Sequence, residues 1–324
     1  MYLALLSICL AALITAFLLS RSYSPPPKLR GKIPISVNYH FTRKCNYSCG
    51  FCFHTETTSY IASLSDAKKG LTLLQKAGMK KINFAGGEPF LYPKYLGTLA
   101  KYCKEELHLE SVSVVTNGSK VTSAHLADFG KYIDIMAVSC DSFDEITNMA
   151  IGRGKGAHLG QFRNLRSLCR THGIKFKVNT VVNKLNYDED MTIPIREIAP
   201  FRWKCFQVLL VAGENDSSAT KRDATKFAIT DGEFQYFCKK HEQVEGFVPE
   251  SNKVMRSSYL ILDEYMRFLN KGTGEPTGSI LEVGVKRALE GVLWDEESFE
   301  VRGGIYDWKR ESKKNGHENS ALDW

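Results

Sequence analysis

Long basic runs, internal repeats and low-complexity tracts are all missing from this 324-residue chain. The first absence argues against a nucleic-acid platform, so no nucleic acid is expected as a partner. The formal charge of +7 is spread thinly and suits an anionic small ligand instead. No cysteine follows Cys238. The nine cysteines stand at positions 9, 45, 49, 52, 103, 140, 169, 205 and 238, an odd set with one cluster and a scattered remainder. That is a poor disulfide framework. Scattered cysteines of this kind behave as small buried hydrophobes in a reducing compartment, which points to a cytosol-facing domain.

Lysine and arginine are also missing from the first 20 residues. Met1–Leu19 is an almost uninterrupted apolar stretch, of about the 20-residue length that crosses a bilayer. A cleaved signal peptide is the alternative, and it would want a basic start and a shorter apolar core. Arg21, Lys28, Arg30 and Lys32 follow the stretch, a bias that leaves the rest of the chain in the cytosol. The even spread of apolar residues gives little amphipathic moment and favours spanning over lying flat. Residues 1–20 are therefore expected to anchor the chain in a membrane, and residues 21–34, with Pro25, Pro26 and Pro27, to form a stiff linker.

From Ile35 onward β-rich runs alternate with helical stretches. The expected strands are Ile35–Phe41, Lys81–Ala85, Ser111–Thr116, Ile133–Ser139, Lys175–Val182 and Cys205–Val211. Amphipathic segments lie between them at Asp66–Ala77, behind a Ser65 cap, and at Lys94–Glu106 and Leu159–His172. Such alternation means a parallel sheet with crossover helices. Six units fall short of the eight of a closed barrel, so the expected fold is α/β, an open (β/α)6 partial barrel over residues 35–211. Residues 212–324 read as a mixed C-terminal extension covering the active site.

Cys45, Cys49 and Cys52 form a C-x3-C-x2-C run just after the first expected strand, at the end where such barrels carry their sites. Three thiolates can bind three irons of a 4Fe–4S cluster and leave the fourth open to a small ligand. A zinc site completed by His54 is the alternative, although no second Cys/His knuckle is present. Further on, the alternation of Lys175, Lys177 and Asn179 against Phe176, Val178 and Thr180 puts two lysines and an amide on one face of a strand. Arg202 and Lys204 repeat that spacing. Cations directed into a barrel need an anion, and a polyphosphate meets the need; Lys175 equally suits a solvated strand end.

The cysteine run, with Phe51 before its last member, followed at one strand–helix distance by Gly86-Gly87-Glu88-Pro89, resembles the signature of the radical S-adenosylmethionine (SAM) superfamily. Within it the chain resembles the viperin family. The similar stretches include the residues from Ser36 to Thr55, INFAGGEPFL at 82–91, VPESN at 248–252, the run from Ser257 to Asn270, and the terminal Leu322-Asp323-Trp324.

The resemblance implies a 4Fe–4S cluster on Cys45, Cys49 and Cys52, with SAM on its open iron. It places Gly86, Gly87 and Glu88 at the SAM amino group, and Asn117, Ser139 and Arg153 around the rest of SAM. It implies dehydration of CTP to 3′-deoxy-3′,4′-didehydro-CTP through a 5′-deoxyadenosyl radical, with an antiviral role in innate immunity. Asn38, Lys81, Lys177, Asn179, Arg202 and Lys204 match nucleotide contacts, and Tyr259 matches a tyrosine that relays the quenching hydrogen atom. It further implies the cytosolic face of the endoplasmic reticulum membrane or the lipid droplet, and a contact between Trp324 and the cytosolic iron–sulfur assembly machinery. Ala85 departs from the family's usual Ser. Two other readings remain: a radical SAM enzyme that modifies peptides or proteins, and a membrane-anchored scaffold without turnover.

Overall fold

A computed structural model describes residues 32–270 and 274–310. The expected anchor at 1–20, nearly all of the linker at 21–34, and Trp324 lie outside the described residues. Among the described residues no helix is long and apolar enough to cross a membrane. They belong to one compact unit beginning at Lys32, so the extension after residue 211 is not a separate body.

Among the described residues eight strands form one sheet. They are β1 Ser36–Thr42, β2 Lys81–Gly86, β3 Ser111–Thr116, β4 Ile135–Ser139, β5 Lys175–Val182, β6 Arg202–Gln207, β7 Phe247–Glu250 and β8 Leu260–Leu262. Their order is β7-β6-β5-β4-β3-β2-β1-β8, and every pairing is parallel. Parallel neighbours need crossovers, and helices supply them. The first three long ones are α1 Leu64–Lys76, α2 Pro93–Glu105 and, before β5, α5 His158–Thr171. The shorter α3 Ser123–Phe129 and α4 Glu145–Ile151 flank β4. The half-barrel expected from sequence is present. The extension also adds a strand to each edge, which a region of broken periodicity did not announce.

Two further expectations are corrected. The sixth strand begins at Arg202 and ends at Gln207, not at Val211, and pairs with β5 from Lys177↔Arg202 to Val182↔Gln207. The apolar run after it misled because the inward face of this sheet is polar, so the true strand has the weaker hydrophobic signal. The cap of α1 is Ser63, whose hydroxyl accepts from the Asp66 backbone N–H at 3.1 Å; Ser65 lies in the first turn.

Period-two alternation explains where the core sits. Val37, Tyr39, Phe41, Ile82, Phe84, Val112, Val114, Met136, Val138, Phe176, Val178, Trp203 and Cys205 point outward and are buried beneath the helices. Helix α1 closes part of this layer with Ala67, Gly70, Leu71 and Leu74. Each buried Leu contributes roughly 1.5–3 kcal/mol relative to exposure. The opposite face carries Asn38, Lys81, Asn83, Ser113, Ser139, Lys177, Asn179 and Lys204, all lining the lumen. A polar lumen inside an apolar shell is built to hold a polar ligand.

The N-terminal ends of the strands are closed by residues 303–310. Ser111 donates its hydroxyl to the Trp308 carbonyl at 3.0 Å, Lys175 pairs with Asp307 at 2.7 Å, and Arg310 donates to the Lys131 carbonyl at 2.7 Å.

Candidate active site

The lumen holds a cavity of about 370 Å³. One end is built by the loop after β1. Cys45, Cys49 and Cys52 are free and all line the cavity. The loop is held by backbone bonds to the end of α4: Ser48 N–H donates to the Gly152 carbonyl at 3.0 Å, and Gly50 N–H to the Ile151 carbonyl at 2.9 Å. Gly152 ends α4 in the left-handed conformation, and a Cβ there would lie 2.4 Å from the Ser48 carbonyl. On the other side Gly87 N–H donates to the Thr42 carbonyl at 2.7 Å and Glu88 N–H to the Lys44 carbonyl at 2.8 Å.

The donor set fits an iron–sulfur cluster. Burial pushes the Cys45 thiol up to about 11 and the Cys49 thiol up to about 12, so water alone would leave them protonated. Iron deprotonates a coordinated thiol outright. Among the described residues no three His, Cys, Asp or Glu side chains converge on one point as ligands of a single ion do. Cysteines that each bind a different iron have no such need. His54 does not join the thiols: it is buried against His40, with ring centroids 4.6 Å apart, and does not line the cavity.

Around this loop the expected SAM residues divide. Gly86, Gly87, Asn117, Ser139 and Arg153 line the cavity. Glu88 does not. It is fully buried and accepts from Phe90 N–H at 2.9 Å, the Thr116 hydroxyl at 2.7 Å and Asn117 N–H at 2.7 Å. Its carboxylate is thereby tied to the wall of the site. Asn117, held in place by it, turns its amide toward Asn46 Oδ1 at 3.0 Å and Cys45 Sγ at 3.9 Å. Arg153 is buried and bonded to the buried Asp141 carboxylate, which also lines the cavity.

The other end of the cavity is cationic. Lys177 and Asn179 on β5 and Lys204 on β6 face it, with Asn179 opposite Lys204 in the register. Asn179 Oδ1 is buried without a hydrogen-bond partner, an orphaned acceptor that a ligand would satisfy. Burial holds the Lys177 ammonium down to about 7, with Arg202 and Arg302 adding to the effect against the pull of Glu250. Asn38 lines the cavity and donates to the Leu260 carbonyl at 3.1 Å. Tyr259, between helix α8 Asn252–Ser258 and β8, lines it as well.

Lys81, Arg202 and Lys175 are each bonded to the closing segment, residues 303–308. Lys81 reaches the cavity floor, where it donates to the Tyr306 hydroxyl at 2.8 Å and lies 5.3 Å from the Trp308 ring centroid. Arg202 does not line the cavity; it donates to the Gly303 carbonyl at 2.9 Å and stacks 4.4 Å from the Tyr306 centroid. Lys175 pairs with Asp307 at the opposite end of its strand from the cluster loop. The residues missed by sequence are Asp141, Glu250, Arg302 and Tyr306. Glu250 lay within a stretch already marked by resemblance. Arg302 and Tyr306 lie in the irregular tail, where no periodicity points inward.

Residues 39–193 match the model of the radical SAM superfamily. The chain is 52% identical over 287 residues to the S-adenosylmethionine-dependent nucleotide dehydratase RSAD2 of Siniperca chuatsi, covering 87% of this chain and 81% of the relative. It is 51% identical over 287 residues to the protein of the same name in Danio rerio, covering 87% and 80%. This chain belongs to the viperin family of radical SAM enzymes. A solved structure with the same fold is Streptococcus suis SuiB bound to S-adenosylmethionine, at TM-score 0.61 and 18% identity, covering 83% of this chain and 68% of that one. The viperin family uses a 4Fe–4S cluster and SAM, and the three-thiol loop beside Gly86, Gly87 and Asn117 is where this chain would hold them.

Proposed function

We propose that this chain is a nucleotide dehydratase that converts CTP to 3′-deoxy-3′,4′-didehydro-CTP. The observation that carries this reading is the two-ended cavity: three thiols at one end, and Lys177, Asn179 and Lys204 at the other. Inward cations in a buried lumen need a multiply charged anion, and a triphosphate supplies one.

When bound, the cluster and SAM supply a one-electron cleavage that yields methionine and a 5′-deoxyadenosyl radical, the agent that takes the ribose 4′ hydrogen. The chain's own residues orient and neutralise. Lys177 and Lys204 hold the phosphates by point charge. Asn179 satisfies its free acceptor with a donor of the nucleotide. Gly86, Gly87 and Asn117 shape the wall beside the thiols, and Arg153, fixed by Asp141, gives a buried positive group for a carboxylate. Tyr259 presents its hydroxyl to the nucleotide end, where the product radical must be quenched. The apolar wall of Phe51, Val115 and Phe206 keeps bulk water from the reacting carbon.

The apolar segment at 1–20 would hold the domain on the cytosolic face of the endoplasmic reticulum membrane or the lipid droplet. The tail at Trp324 would receive the cluster from the cytosolic iron–sulfur assembly machinery. Both rest on sequence and resemblance, as does the antiviral role.

Anaerobic turnover of the reconstituted protein with SAM, dithionite and each nucleoside triphosphate in turn tests the proposal, with products read by mass spectrometry. CTP should strongly stimulate 5′-deoxyadenosine formation and yield a nucleotide lighter by one water. Cleavage indifferent to nucleotides would overturn the CTP assignment and turn the search toward peptides. Cys49→Ala should abolish both the cluster absorbance and all SAM cleavage.

A further inference from the structure

Glu250, at the end of β7, is fully buried behind the cationic end of the cavity rather than lining it. Three groups from three separate elements converge on its carboxylate. Lys204 donates from β6. The Tyr259 hydroxyl donates at 2.5 Å from the junction of α8 and β8. Arg302, which follows helix α11 Glu296–Val301, donates at 3.4 Å. The donors also touch one another: Lys204 Nζ lies 3.0 Å from the Tyr259 oxygen, and the Arg302 guanidinium 3.9 Å from the Tyr259 ring centroid. Burial alone would raise the Glu250 carboxyl, but Lys204 and Arg302 hold it below the ordinary carboxylate range, so it is an anion at neutral pH.

We propose that Glu250 is a positioning residue for the nucleotide end of the site, the resident anion whose two cations pass to the substrate phosphates while its bond to Tyr259 is retained. The inference rests on the nucleotide reading above. Buried cations must be neutralised in the empty site, or their desolvation goes uncompensated. Among the described residues Glu250 is the carboxylate paired with Lys204 and with Arg302. A polyphosphate brings more negative charge than one carboxylate and outcompetes it for Lys204 and Arg302. Tyr259 has no such alternative, because a phenol is a poor partner for phosphate against an ionised carboxylate already in place. Substrate arrival therefore releases the Tyr259 oxygen from Lys204 and leaves the hydroxyl fixed by Glu250. The same negative charge repels the incoming phosphates, so Glu250 holds affinity below what the lysines and arginine could give.

The test uses the full chain reconstituted with its cluster, with CTP and inorganic tripolyphosphate as calorimetric probes. Glu250→Gln removes the charge and keeps the shape. Its Kd for both probes should fall by about threefold or more, since a repelling charge and a competing partner are gone. In turnover, the ratio of 5′-deoxyadenosine to dehydrated nucleotide should rise, because a neutral amide is the weaker acceptor for the Tyr259 hydroxyl. Glu250→Asp restores the charge with a shorter reach and should recover the wild-type Kd while leaving the product ratio raised. A purely structural role would weaken binding and lower both products at constant ratio in Glu250→Gln. That result, or an unchanged Kd, overturns the proposal. Wild-type protein that binds neither probe overturns the nucleotide reading and this inference with it, whereas CTP turnover with an indifferent Glu250→Gln removes only the inference.

Discussion

Gly87 lies so close beneath Lys44 that a Cβ on it would stand 2.0 Å from the Lys44 carbonyl oxygen. The contact joins the turn after β2 to the first residues of the cysteine loop, so the two halves of the cluster end share one backbone seam. Gly87→Ala must push the loop away from the turn. We expect it to lose most of its iron on reconstitution, with a stability loss of about 1–3 kcal/mol from overpacking. Iron and sulfide analysis with thermal denaturation reads both; full iron content would show that the seam yields without moving the thiols.

Glu88 acts on the opposite side of the same turn. Its two oxygens take three donors, so an amide at this position must set an NH2 against an N–H or a hydroxyl. Glu88→Gln should destabilise the fold by about 1–3 kcal/mol, the usual range for a buried unsatisfied polar group. SAM affinity should fall with it, because Asn117 loses its anchor. A normal melting temperature with weakened SAM binding would instead favour direct contact between the carboxylate and SAM.

Lys177 gives the site a dependence on pH. Its ammonium is held down to about 7 against an ordinary 10.5. The unfolded chain therefore keeps a proton that the folded chain releases between those values. The destabilisation from burying this charge is full below pH 7 and is relieved as pH rises toward 10.5. Nucleotide binding runs the other way, since a triphosphate needs the charged form. CTP affinity should fall as pH rises through about 7, with proton uptake on binding seen by calorimetry in buffers of different ionisation heat. Lys177→Arg, always charged, should flatten that profile; an unaltered profile would assign the titration to another group.

Lys204→Ala removes a cation from the nucleotide end without touching the thiol loop. The CTP requirement should rise by about 10- to 100-fold, in line with truncating a buried charged partner, at unchanged cluster absorbance. Stability should fall by only about 1–3 kcal/mol, because Arg302 and Tyr259 still donate to Glu250. An unchanged CTP response would remove Lys204 from the site.

Much of the site was readable along the chain because its parts are local. The three cysteines lie within eight residues, and Lys177 and Asn179 are two apart on one strand. Spacing alone puts such residues on one loop or one face. Arg202 shows where this reasoning stops. It has the same alternation as Lys204 one pleat further on, yet the tail segment at Gly303 and Tyr306 covers it. Glu88 marks a related limit: the motif puts it beside the cysteine loop, while the side chain's direction depends on Thr116 and Asn117, donors at the end of the next strand.

The cofactor loop, the alternation that makes a parallel half-barrel, and the shared strand face of Lys177 and Asn179 can be read along the chain, because each is a short-range pattern. Which cations remain open to a ligand, which carboxylate balances them, and how β7, β8 and residues 303–310 complete the barrel emerge only in the folded chain. Those outcomes depend on groups separated by tens to hundreds of residues. Lys204 with Glu250, and Lys81 with Tyr306, meet only when the sheet brings strand ends and tail together.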